Sequence, residues 1–143
     1  MLPPGYFMIM LGLTIASNYV PKIAIIPRPW SYLGIILVFF GAYLNLHTDR
    51  LYKKAGTTVK PHQKPTELIT NGPFRLSRHP MYLGMASILL GAAMIVGSLI
   101  AFIWPIIFIL IMEKLFIKEE EKNMAEIFGK RYETYRAKVR RWI

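Results

Sequence analysis

A chain of 143 residues has room for one domain and little more, and 54% of its side chains are apolar. Its net charge of +10 would suggest nucleic acid on a soluble protein, but no nucleic-acid motif is present and the cations flank apolar runs, so contact with anionic headgroups is the simpler reading. The absence of cysteine excludes a disulfide framework and a thiolate metal site.

Charge is segregated along the chain. Residues 1–20, 29–48 and 81–112 carry no charged side chain. A hydrocarbon core of about 30 Å is crossed by roughly 20 apolar helical residues. The pattern predicts an all-α, polytopic membrane protein of about four spans. Its single membrane-embedded domain, 1–143, divides into spans one and two (1–50), a polar loop (51–80), a helical hairpin (81–117) and a C-terminal amphipathic helix (118–143).

Span one is expected over residues 5–20; without the basic start and cleavage site of a signal peptide, it reads as retained. Pro21, Lys22, Pro27, Arg28 and Pro29 make a stiff connection, with residues 23–26 half-buried at the interface. Trp30 and Tyr32 suit an aromatic belt. Span two is expected over 32–46, with His47, Thr48, Asp49 and Arg50 marking its exit into water. The loop that follows is basic and is punctuated by Gly56, Pro61, Pro65, Gly72 and Pro73, which argues against long regular structure and for function or disorder.

Pro80 suits the first position of a helix, so span three is expected over 81–96. Small residues Gly84, Ala86, Ser87, Gly91 and Ala92 would let it approach a neighbour closely. Gly97-Ser98 is the candidate tight turn, and span four follows over 99–117 with Pro105 as a candidate kink. In the tail, Met124, Phe128, Tyr132, Tyr135, Val139 and Trp142 recur at helical spacing among charges. Four spans put both termini, the loop and the tail on one side, which the positive-inside tendency makes cytoplasmic, although Lys22 and Arg28 lie on the other.

Two polar clusters could carry chemistry. Residues 70–82, TNGPFRLSRHPMY, form a Gly-Pro turn leading into a helix start, where free N–H groups favour an anion and Arg78 and His79 add donors. On local physics alone, Arg75 and Arg78 read equally as headgroup anchors. Glu119-Glu120-Glu121 follow span four, where they could face inward or form a solvated helix start. A hairpin of spans three and four would bring these clusters together. A zwitterion could then bind across them, carboxylate to Arg78 and His79, ammonium to a glutamate. His47, His62 and His79 match no metal-ligand spacing, so no metal site is expected. Glu113 beside Lys114 reads either as functional or as a boundary marker.

Gly72-Pro73-Phe74-Arg75 followed by Arg78-His79-Pro80-Met81-Tyr82 resembles the integral-membrane methyltransferases, the isoprenylcysteine carboxyl and phospholipid N-methyltransferase group. Glu120-Glu121, Met124, Phe128-Gly129, Tyr132, Tyr135, Val139 and Arg141 extend the resemblance through the tail, over about residues 66–143. Met124 stands where the family more often has leucine, and the proline that follows the final Arg-x-Ile is missing. The resemblance implies S-adenosylmethionine as methyl donor, converted to S-adenosylhomocysteine, and a lipophilic acceptor within membrane lipid. It implies cofactor contacts from Ile69, Gly72, Pro73, Phe74, Leu76, Arg78, His79, Tyr82 and Glu120. His79, Glu121 and Arg141 would serve the chemistry, with His79 or Glu121 as base for an amine acceptor and Arg141 bracing the pocket or meeting the acceptor. The alternatives are an NADPH-dependent reductase of the sterol reductase group and a non-enzymatic membrane protein.

Overall fold

Proline opens two of the helices and glycine closes three, which fixes much of the helical frame. The computed structural model describes residues 2–20, 23–57 and 63–143; Pro21 and Lys22 of the first connection, and Lys60, Pro61 and His62 of the polar loop, lie outside them. Described residues are helical or irregular, without strands. Helix α1 spans Pro3–Ala16, α2 Leu33–Ala55, α3 Pro80–Val96, α4 Ile103–Met112, α5 Lys118–Phe128 and α6 Lys130–Lys138. Two continuous helical stretches, Trp30–Ala55 and Leu99–Phe128, are long and apolar enough to cross a membrane, while Pro80–Val96 is apolar but shorter. Large apolar side chains stand exposed around the helices, among them Met8, Ile36, Phe39, Leu46, Ile106 and Leu110. Such a belt is unfavourable in water and suited to lipid.

Helix α2 corrects the expected exit at His47. It runs on to Ala55, because Asp49 and Lys53 pair one turn apart at 2.6 Å and Lys53 and Lys54 complement the helix C-terminus. Gly56 stops it in a left-handed conformation (φ 65°) that other residues adopt only with strain. The polar loop is correspondingly shorter.

Helices α2 and α3 pack backbone to backbone. A Cβ on Gly34 would collide with the carbonyl oxygen of Gly91, and one on Gly41 with that of Gly84. Each glycine pair sits two turns apart, so one stripe serves the whole seam. Beside it, α1 and α4 pack on α3 around Met10, Met85, Leu89, Phe108, Met112 and Ile117. Polar groups here are satisfied locally: Thr14 Oγ1 donates to Met10 O (2.8 Å), and Trp104 Nε1 donates to Ser17 Oγ (2.9 Å).

Gly97 caps α3, and the turn is tied to the first connection by Ile25 N–H to Gly97 O and Leu99 N–H to Ile23 O, both 3.0 Å. Ile23 and Ile25 themselves are exposed rather than half-buried. Pro105 falls in the first turn of α4, after a 3₁₀ turn over Leu99–Phe102, where its missing N–H is accommodated. A π-helical segment, Glu113–Ile117, joins α4 to α5.

The tail differs from the expected single helix. Its first part, α5, continues the α4 helix, and the chain then breaks at Gly129 (φ 51°, ψ −124°), a conformation that needs glycine. After α6 the chain turns extended at Val139. There Ser77 Oγ donates to Arg141 O (2.9 Å) and Arg78 N–H to Arg140 O (3.1 Å), so the C-terminal residues clasp the loop that leads into α3.

Candidate active site

The loop before α3, the end of α2, the start of α3 and α5–α6 meet at one end of the helix bundle. Loop and tail are joined by a small core in which Phe74, Tyr132 and Tyr135 are buried, with Tyr135 Oη donating to Phe74 O at 2.7 Å. Ser77 Oγ accepts from His79 N–H (3.1 Å), which orients the residue just ahead of Pro80.

His79 sits between two glutamates. Its Nδ1 is 3.3 Å from Glu120 Oε2 and its Nε2 is 3.3 Å from Glu121 Oε1. An ionised carboxylate only accepts, so engaging two of them at once takes a proton on each ring nitrogen. Burial alone pushes the imidazole down, but hydrogen bonds and charge from Glu120 and Glu121 outweigh it and hold His79 above the ordinary histidine range. Tyr82 stacks on the His79 ring (centroids 5.8 Å apart) and donates its hydroxyl to Glu120 Oε1.

Glu121, 6% exposed, is the hub of a second layer. It accepts from Arg141 Nε (3.0 Å) and Nη2 (2.7 Å) and pairs with Arg78 Nη1 at 3.2 Å. Arg141 also donates through Nη1 to Glu113, whose other oxygen accepts from Trp142 Nε1 at 3.0 Å. In a regular α-helix, residues eight apart would be about 80° out of line. The wider π turn advances less per residue, and this brings Glu113 and Glu121 onto the same guanidinium. The hydrogen bonds that Arg141 donates to Glu121 raise its pKa further, so it stays charged.

Two cavities flank this cluster. One, open to solvent, lies under the loop and is lined by Leu68, Ile69, Phe74, Met124, Tyr132 and Tyr135 among others. The second lies between the start of α1 (Leu2, Pro3, Pro4) and the start of α3 (Met81, Met85), and is mainly apolar. Four polar side chains, Tyr52, Arg78, His79 and Glu120, line both.

Of the residues singled out in the sequence, Ile69, Phe74, Arg78, His79 and Glu120 line the first cavity and Tyr82 the second. Gly72 lies against the His47 and Leu51 side chains of α2, Pro73 is buried, and Leu76 is 41% exposed; all three line neither cavity. Glu121 and Arg141 also stand behind the wall rather than in it. Sequence reasoning missed Tyr52, which lies in the part of α2 read as loop, and the Leu2–Pro4 rim, whose apolar character carries no signal of its own.

Fold and site together define a small helical protein of membrane type, with a lateral apolar belt and, at one end of the bundle, a two-chambered site whose dividing wall is polar. The chain belongs to the phospholipid methyltransferase family, whose model matches residues 30–131. Over 75 residues, half of this chain, it is 37% identical to a protein-S-isoprenylcysteine O-methyltransferase of Schizosaccharomyces pombe, covering 30% of that protein. Over 113 residues, 77% of this chain, it is 32% identical to a methanethiol S-methyltransferase of Pseudomonas deceptionensis, covering 41% of that protein. A 63-residue stretch is 40% identical to an uncharacterized protein of Haemophilus influenzae, over that protein's whole length. The chain thus spans less than half of the two named methyltransferases. The family match does not favour the reductase alternative.

Proposed function

We propose that the chain transfers the methyl group of S-adenosylmethionine to the nucleophile of a lipophilic acceptor. The observation that carries this reading is the shared wall: two cavities, one under the loop and one mainly apolar beside α1, meet at Tyr52, Arg78, His79 and Glu120. The residues fit a zwitterionic donor. Arg78 Nε is buried without a hydrogen-bond partner among the described residues, as expected of a group that a ligand carboxylate completes. Glu120 lies at the same cleft as acceptor for an ammonium, and Leu68, Ile69 and Phe74 offer apolar surface. When bound, the sulfonium supplies an electrophilic methyl carbon and a neutral thioether leaving group.

The chain's own residues then align and exclude water, which can account for much of the acceleration. An apolar tail lodged beside Pro3, Pro4, Met81 and Met85 brings the acceptor's head to the shared wall. The acceptor lone pair forms the bond to carbon as the carbon–sulfur bond breaks, its electron pair staying on sulfur. With both ring nitrogens engaged, His79 is not a free base. That supports an acceptor already anionic at its nucleophile, a carboxylate or thiolate, over an amine that must also shed a proton. Glu121 and Arg141 act as positioning residues, fixing Arg78 and His79 from behind.

Helices α1 and α3, packed beside the long helices, are read as further crossings, giving four spans with loop and tail at the cytoplasmic face. The test is thermal melting in detergent. S-adenosylhomocysteine at a hundred times its Kd stabilises the protein by about 2.7 kcal/mol, NADPH does not, and Glu120→Ala loses most of the gain. A wild-type protein indifferent to S-adenosylhomocysteine would overturn the reading.

A further inference from the structure

Of the four side chains in the shared wall, Tyr52 alone makes no side-chain hydrogen bond or ion pair with a described residue. Arg78 is paired with Glu121, His79 with both glutamates, and Glu120 with Tyr82 and His79. The Tyr52 hydroxyl makes no hydrogen bond with any described residue, although its ring is held edge-on to Phe74 (5.6 Å, 86°) on the last turns of α2. It is also the one described α2 residue that reaches either cavity. The hydroxyl is not sealed inside the protein, so a group that enters either cavity can reach it, and a phenol buried beside a ligand normally finds a partner. The other tyrosine hydroxyl that lines the second cavity, that of Tyr82, is already given to Glu120.

We propose that Tyr52 is an acceptor-orienting residue: its hydroxyl donates to the nucleophilic group of the methyl acceptor at the junction of the two cavities. The inference rests on the methyl-transfer reading and names a residue for its acceptor side. The donor's two charged ends are matched by Arg78 and Glu120, which leaves the neutral phenol for the second substrate. A phenol ionises near pH 10 in water, so at neutral pH Tyr52 presents an O–H that suits a carboxylate, thiolate or neutral heteroatom. It keeps that proton throughout: the acceptor lone pair attacks carbon, the carbon–sulfur pair leaves on sulfur, and the hydrogen bond only fixes the line of attack. Phe74 stiffens the arrangement from one side, and the glycine seam fixes α2 against α3, so the hydroxyl is held by the frame rather than by a flexible loop.

The test compares wild type with Tyr52→Phe, which keeps the ring and its Phe74 contact. Labelled S-adenosylmethionine and native lipid extract report transfer to whichever lipid takes the methyl group, and calorimetry with S-adenosylhomocysteine reports the donor side. One lost hydrogen bond to substrate corresponds to about a ten-fold effect. Tyr52→Phe is expected to bind S-adenosylhomocysteine within two-fold of wild type and to melt at an unchanged temperature. It is expected to need about ten-fold more extract for half-maximal labelling, or to label about ten-fold more slowly below saturation. Labelling at the wild-type rate across the extract range would overturn the proposal. So would a ten-fold loss confined to S-adenosylhomocysteine binding, which would assign Tyr52 to the donor. Wild-type protein that binds no S-adenosylhomocysteine would instead remove the methyl-transfer reading beneath it.

Discussion

Along α2 and α3 the backbones touch at Gly34–Gly91 and Gly41–Gly84, with no side chain between them. At the site end of the same helices, the tail is fastened to the loop by the charged side chains of Glu121, Glu113, Arg141 and Arg78, beside the backbone hydrogen bond from Arg78 N–H to Arg140 O. The seam is steric. It has one good separation, and neither salt nor a ligand changes it. The clasp is electrostatic, and its balance of carboxylates and cations can be redrawn when a zwitterion engages Glu120 and Arg78. A rigid half that sets the distance from Tyr52 on α2 to Tyr82 on α3 is thereby joined to an adjustable half that can admit and enclose a ligand.

Glu121→Ala should show the larger effect. It removes the shared acceptor of two guanidinium groups and an imidazole, and breaking a buried pair costs about 3–5 kcal/mol. The lower end, about 3 kcal/mol, is expected because the Arg141 side chain is 29% exposed and partly screened. Thermal melting measures the loss, and hydrogen exchange should show it concentrated in residues 139–143; a cost below about 1 kcal/mol would mean that the clasp is not what holds the tail. Gly41→Ala should cost about 2 kcal/mol by overpacking, since its methyl meets the Gly84 carbonyl. That cost should be the same at low and high salt, whereas the Glu121→Ala cost shrinks as salt rises. Equal salt dependence in the two variants would erase the distinction between seam and clasp.

The two halves were unequally legible in the sequence. The seam's stripe on α3 could be read from Gly84 and Gly91, because small residues at helical spacing imply close approach whatever the partner. The entry to α3 could be read from Pro80, whose effect is local. The end of α2 could not: Asp49, Lys53 and Lys54 signal contact with water, and a helix that leaves the apolar layer need not unwind there. Its end is set by Gly56. The apolar stripe of the tail runs through Gly129 without interruption, from Met124 and Phe128 to Tyr132 and Tyr135, so the break is invisible to periodicity. Glu113 reads from the sequence either as functional or as a boundary marker, because its alignment with Glu121 depends on a π turn that side-chain spacing does not encode.

The smallest expected effect is also the most selective. His79 has its pKa raised in the folded protein by Glu120 and Glu121, against about 6.5 in an unfolded chain. A raised folded pKa means that the folded state holds the proton more tightly. The stabilisation is therefore complete below about pH 6.5 and is lost as pH rises through the higher folded value. The melting temperature should fall across that window, and His79→Gln should flatten the fall, since glutamine takes up no proton there. The glycine seam contains no titrating group, so amide protection relative to the intrinsic exchange rate should hold steady within α2 and α3, while the amides of Arg78 and of residues 139–143 lose protection at the higher pH. A wild-type slope retained in His79→Gln would show that another group drives the change. A slope shared equally by seam and clasp would show that the two halves unfold as one unit, and that the clasp does not open on its own.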